Sequence, residues 1–447
     1  MKKHAAKRKW PRVLVGCLLG VFLLLGAAAG YLYFSDMPIM LKHPVFNASG
    51  FVTNTALTPA QAEADAAQMT SFVEQVHPVF LHTPPAAYTR AKSAYLAAAK
   101  QTTSVFAFRA LTSQFLTSLE DGHTHVYCTE GSFLQVNWRW ENGALVSFGG
   151  NLPKGAQAVS IGGVPVEKIT AKIAALFPEE NDAAVYRANG QYSTYASVLS
   201  LLIPNLGGSV PVAVEQNGAL STIDVPFGPT SLLSDAADGG SSVASGQMEN
   251  GVFVFTLRSC TFDSTFAQTL SALKKAVAGG TDKVVVDVRG NGGGNSEVCE
   301  EILNALGMKP GTYGVLVRYS KPAQAQIGYL HSSGVYRSAP NNTAKPNPHL
   351  QLRVLTDAGT FSSATMLAVW VQDGRLGKIV GQPSANMPSG YGDIIDFTLN
   401  NSGLQGSVSH KQWLRPDSSK NAERELTPDI QTPDGADALQ AALRSFG

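Results

Sequence analysis

The sequence predicts an α/β core behind a small helical cap and a β-rich module, with one membrane-spanning helix ahead of them. Three observations carry this expectation. In a chain of 447 residues, 283–288 is a β-branched run that stops at the glycine loop Gly290-Asn291-Gly292-Gly293-Gly294. It restarts as a helix with Val298, Ile302 and Leu303 on one face. A second strand, 350–355, leads through Thr360-Phe361-Ser362-Ser363 into the apolar helical run 366–371. Finally, 13–35 is uncharged and rich in Leu, Gly and Ala, long enough to span a bilayer.

A hydrophobic fraction of 44% with a charged fraction of 15% fits a globular chain of two or three domains carrying one very apolar segment. Lys2, Lys3, Lys7, Arg8, Lys9 and Arg12 precede that segment without an acidic residue. This flank should stay in the cytoplasm, making 1–12 a basic tail and 13–35 an uncleaved signal anchor, with the bulk of the chain extracytoplasmic. Ala27-Ala28-Ala29 leaves cleavage open, although the run exceeds a usual signal-peptide core. Removing those six residues from the 34 basic ones leaves 28 against 33 acidic. That mildly acidic balance excludes nucleic acid as a natural partner. Outside the apolar run lie Cys128, Cys260 and Cys299, with no zinc-ligand spacing. One bridge or three buried thiols both fit.

In order, 36–57 reads as a linker, with Pro38, Pro44 and Gly50 and little periodicity. Thr58-Pro59 opens a helix whose stripe is Met69, Phe72, Val73 and Val76, and His77-Pro78 ends it. Two more helices complete a cap that runs, with a histidine-bearing hairpin, over 58–137. Residues 138–228 alternate short β runs with turns around a helix at 166–176. Residues 229–250 are rich in Gly, Ser, Ala and Asp and read as a linker. The α/β core occupies 251–447.

A strand feeding a glycine loop at a helix N-terminus points backbone N–H groups outward beside a positive dipole end. The guest is a phosphate or a transient oxyanion. A nucleotide P-loop would end Gly-Lys-Ser/Thr, and this loop ends Gly294-Asn295-Ser296. That favours the oxyanion and excludes nucleotide. Ser362 and Ser363 at the second strand-to-helix turn suit either a nucleophile or an ordinary helix cap. His123 and His125, two apart, suit zinc, a structural role or catalysis, but no third metal ligand stands at a recognisable spacing. No metal and no cofactor are expected.

The run Val285-Val286-Asp287-Val288-Arg289-Gly290-Asn291-Gly292-Gly293-Gly294 resembles the D-x-R-x-N-x-G-G loop of tail-specific (C-terminal-processing) proteases and tricorn-core serine peptidases. Thr360 to Ala364 with Gln372-Asp373, Leu119 to Thr124, Gly155 to Val166 and Leu426 to Asp429 resemble further segments of that family in the same order. The resemblance implies a crotonase/ClpP-like β-α core, a PDZ-like module at 138–228, a polypeptide substrate and a serine peptidase activity. It puts the nucleophile on Ser362 and the oxyanion donors near Gly292, Gly293 and Ser363. Asp287, Arg289 and Asn291 become supports of the loop. Where the tail-specific branch has a basic lysine this chain has Met387, so the histidine-using tricorn-like branch is nearer, with His123 as base. That branch has a serine beside the histidine, here Gly122, and a late glutamate, for which Glu423 or Glu425 stands. The missing lysine keeps an alternative open, a silent relative that binds peptide, cell-wall fragments or a lipophilic ligand.

Overall fold

The computed structural model describes residues 21–22, 24–27, 30, 36–46, 54–128, 130–233, 242–433 and 436–446. Six strands form the central sheet in the order Ile430–Gln431, Lys378–Gly381, Gln351–Thr356, Lys283–Asp287, Val252–Leu257 and Ala244–Glu249. All neighbours are parallel except the last pair. A parallel sheet is covered on both faces, which is why its strands read as unbroken apolar runs. Side chains alternate faces, so Val284 and Val286 enter one core with Phe253, Phe255 and Leu352. Val285 enters the other, with Val252, Val254, Leu355 and Val380. Helices Ser264–Ala278, Ser296–Ala305 and Ser363–Asp373 contribute to the first core. Helix Ala438–Arg444 and Phe446 close the second.

The cap helices Pro59–Val76, Ala86–Ala99 and Val105–Leu116 pack on a second, antiparallel sheet containing Gly314–Arg318, Val335–Ser338, Gly390–Thr398 and Gln405–Leu414. The first of these helices starts as its sequence dictates. Thr58 accepts from the Gln61 N–H, and Gln61 reaches back to the Thr58 N–H, closing a capping box. A third sheet, from Phe133–Leu134 through Ala219–Gly228, wraps its own apolar core with helix Val166–Leu176.

Three expectations need correction. The linker at 229–250 ends in strand Ala244–Glu249, which pairs antiparallel with Val252–Leu257; its small, mostly exposed side chains hide the strand from a period-based reading. Residues 36–46 do not hang free, because Leu41 and Val45 donate to Gly328 and Gln326 carbonyls and Leu330 donates to Ile39. The histidine segment makes no local hairpin; His125–Val126 pairs with Gly406 and Ser407. Within the core region, residues after 319 form helix Lys321–Ile327 and strand Val335–Ser338.

Of the apolar run 13–35, residues 21–22, 24–27 and 30 are helical, and the rest of the expected membrane segment lies outside the described residues. Among the described residues no helix is long and apolar enough to cross a membrane.

Candidate active site

Two strands of the central sheet deliver one wall of the site. Lys283–Asp287 ends in the glycine loop, where Asp287 holds the Arg289 guanidinium through two hydrogen bonds of 2.9 and 2.7 Å and also accepts from the Arg289 N–H. The carboxylate pulls the Arg289 pKa up, against burial. Asn291 is fully buried and reaches in three directions. Its side chain donates to the Leu257 carbonyl and accepts from the Gly293 N–H at 2.8 Å, while its carbonyl takes the Phe361 N–H. The first glycine-loop strand and the second strand-to-helix turn are thereby fastened together.

Ser362 sits at the head of helix Ser363–Asp373 with φ +53°, a conformation that costs a non-glycine residue energy. Its hydroxyl caps nothing in the helix. Instead Ser362 Oγ lies 3.0 Å from His123 Nε2. Ser363 behaves differently, donating its hydroxyl to the Gly294 carbonyl at 2.7 Å. A Cβ on Gly293 would stand 2.6 Å from Ser362 Cβ, so only glycine lets the loop approach this closely.

The opposite wall carries His123, in the turn before His125–Val126. Burial pushes its imidazole pKa down, against the pull of Asp121 and Asp393, which leaves a neutral ring able to accept a proton at neutral pH. Among the described residues its Nδ1 has no hydrogen-bond partner, the nearest carboxylate oxygen being Asp121 Oδ1 at 3.8 Å. Asp121 is fully buried and accepts from the His123 N–H, the Thr124 hydroxyl and His77 Nε2. Burial pushes the Asp121 carboxyl up. The His77 hydrogen bond, the nearby His77 and His123 rings and Thr124 outweigh burial and hold it well below the usual carboxylate range. His125 faces away into structure, with Nδ1 on the Gly122 carbonyl at 3.1 Å and its pKa pushed by burial to about 4.

A residue that the sequence did not single out completes this wall. Glu180, 1% exposed, accepts from the Gly122 N–H at 2.8 Å and from Asn386 Nδ2 and the Met387 N–H, each at 2.7 Å. A Cβ on Gly122 would meet Phe361 at 2.9 Å and Glu180 at 3.0 Å, so the space that a serine beside the histidine would need is filled. No motif marks Glu180 in the sequence; only its partners, 58, 206 and 207 positions away, do.

Some expected residues do not come together. Glu423 is half-exposed and holds Arg415 at 2.8 Å, as the outer partner of a guanidinium already paired with buried Asp373. Its place is the surface end of that pair, and the structure gives it no contact with His123 or Ser362. Of the three expected oxyanion donors, Gly293 has its N–H committed to Asn291. Among the described residues no acceptor takes the Gly292 or Ser363 N–H. Among the described residues, Cys128, Cys260 and Cys299 are free thiols, with Cys260 and Cys299 Sγ 3.6 Å apart beneath the glycine loop. Asp121, His123 and Glu180 present ligand atoms within 4.8 Å of one another.

A serine hydroxyl on a strained turn, a neutral histidine against it and a glycine loop beside both define a serine-type hydrolase site. Residues 252–432 match the model of Peptidase family S41, a family of serine peptidases. Mature CPAF complexed with lactacystin shares its fold at a TM-score of 0.59, with 14% identity over 87% of this chain and 97% of that one. A CPAF serine-to-alanine mutant gives 0.62, with 12% identity over 87% and 95%. At these identities the likeness is one of fold. No curated protein matches the sequence.

Proposed function

We propose that this chain is a membrane-anchored, extracytoplasmic serine endopeptidase that cuts peptide bonds with Ser362 as nucleophile and His123 as general base. The observation that carries the reading is the 3.0 Å contact between His123 Nε2 and Ser362 Oγ, made by a serine whose backbone is strained and whose hydroxyl has no capping role. Ser362 Oγ attacks the scissile carbonyl while His123 takes its proton, and the imidazolium then protonates the leaving amine. Water repeats the sequence on the acyl-enzyme. The Ser363 and Gly292 N–H groups are the candidate oxyanion donors, since Gly293 is occupied. The β-rich unit around Val136–Glu141 serves as a docking module, adding an extended chain as a further strand.

Support for the anchor is the helical conformation of the described residues between 21 and 30 with Val21, Phe22, Leu24 and Leu25 all more than half exposed. Such a face suits lipid, and the basic flank sets its direction.

In the full-length chain, Ser362→Ala and His123→Ala should each lower kcat/KM for a peptide substrate at least about 10³-fold, and Ser362→Ala should abolish labelling by a fluorophosphonate. Retention of peptidase activity by both variants would remove the assignment. Absence of labelling in folded wild type would favour a binding role instead.

A further inference from the structure

The base and the nucleophile come from pieces of chain 239 residues apart, and one buried carboxylate lies between them. From Glu180, one oxygen takes the Gly122 N–H, next to His123. The other takes the Asn386 amide and the Met387 N–H. Asn386 in turn accepts the Ser362 N–H at 3.0 Å, on the residue held at φ +53°. We propose that Glu180 is a positioning residue for peptide hydrolysis, its carboxylate locking the His123 turn to the Ser362 turn. This rests on the Ser362–His123 reading above.

Three features support the role. The carboxylate is buried, so its hydrogen bonds are not shared with water and replacing it leaves donors unpaired. Its segment is clamped from outside, since Asn181 donates to the Ser384 and Arg424 carbonyls and the Arg424 guanidinium grips the Glu180 carbonyl. And it enters from the stretch between helices Val166–Leu176 and Asp182–Tyr192, not from the core sheet, so it joins a third part of the molecule to the reacting pair.

The same arrangement makes the lock sensitive to pH. Burial pushes the Glu180 pKa up, neighbouring Asp121 pushes it further, and the Met387, Asn386 and Gly122 donors pull it back, leaving it at about 7. The charged or titratable groups around it are Asp121 and His123 on the base turn, Arg424 on the late segment, and Glu179 and Asp182 beside it. Ionised Glu180 accepts all three donors; protonated, it sets a hydroxyl among them and the two turns loosen. His123 is already held low. The acid limb of activity is therefore expected to report Glu180.

The test uses the full-length chain and one peptide substrate across pH. Glu180→Gln should lower kcat by up to about 10²-fold with KM little changed, and move the acid limb of kcat/KM to lower pH. Asn386→Ala removes one donor that stabilises the anion, so it should lower kcat and move the limb the other way, to higher pH. Fluorophosphonate labelling rates should follow both. An unshifted limb in Glu180→Gln overturns the inference, as does one in Asn386→Ala should Glu180→Gln not fold. If Ser362→Ala is inactive while Glu180→Gln matches wild type, this inference alone falls; if Ser362→Ala is active, the peptidase reading falls first.

Discussion

The two walls of the site are built by different means. The Ser362 wall is the end of a parallel sheet, held by main-chain geometry: glycines that permit close approach, a buried asparagine and an Asp–Arg clasp within one loop. The His123 wall is a turn at the edge of the antiparallel sheet, where Ser407 donates to the His123 carbonyl, and it is held further by Asp121 and Glu180, whose partners are scattered along the chain. In the first wall the charge is confined to the Asp287–Arg289 clasp; in the second two buried carboxylates hold the turn.

That contrast can be broken at Asp121. Replacing it by Asn keeps the shape and removes the charge, setting an amide against the His77, His123 and Thr124 donors. Each donor left unpaired costs about 1–3 kcal/mol, so thermal unfolding should shift down by several degrees and activity should fall with it. A wild-type Tm would mean that packing, not the carboxylate, holds the turn. The sign with pH follows, because a depressed acid stabilises the fold in full above the ordinary carboxylate range. Its contribution is lost only as pH falls well below that range, so the variant should show shallower acid destabilisation in the most acidic part of a denaturation series.

A smaller effect comes from Gly122→Ser. Its added atoms meet Phe361 and Glu180, and overpacking of this kind costs about 1–3 kcal/mol. The main-chain shift should reach His123 and reduce kcat more than KM. Equal activity would show that the turn has slack. The smallest effect is expected of Glu423→Gln. Its half-exposed pair with Arg415 contributes no more than about 1 kcal/mol, and kcat should stay within about twofold of wild type. A large loss of kcat there would return Glu423 to the site.

The same contrast explains what the sequence disclosed. The Ser362 wall is local: Asp287, Arg289, Asn291 and the glycines stand within eight residues, and Ser362 opens the next strand-to-helix turn. Its chemistry is written in spacing. On the other wall, spacing offered two histidines and no means of choosing; the resemblance to a family chose His123. Glu180 gave no signal because a buried carboxylate in Phe177-Pro178-Glu179-Glu180-Asn181 looks like any solvated acid until its distant donors are known. The resemblance implies a late glutamate, Glu423 or Glu425, but lateness in the chain says nothing about what a side chain touches. Edge strand Ala244–Glu249 was lost among small residues for a related reason, since it is held by main-chain pairing to Val252–Leu257.

The docking of residues 36–46 has a consequence for reach. Asp36 is fixed to the domain through its carbonyl, which accepts from Tyr319, and Met40 bridges to Tyr329. From Gly30 to Asp36 the chain at full extension spans on the order of 20 Å. If the preceding run lies in a bilayer, the enzyme stands on a bracket and not a leash. Its active site then keeps one fixed height above the lipid, and a cleavage site has to be presented at that height however well it fits.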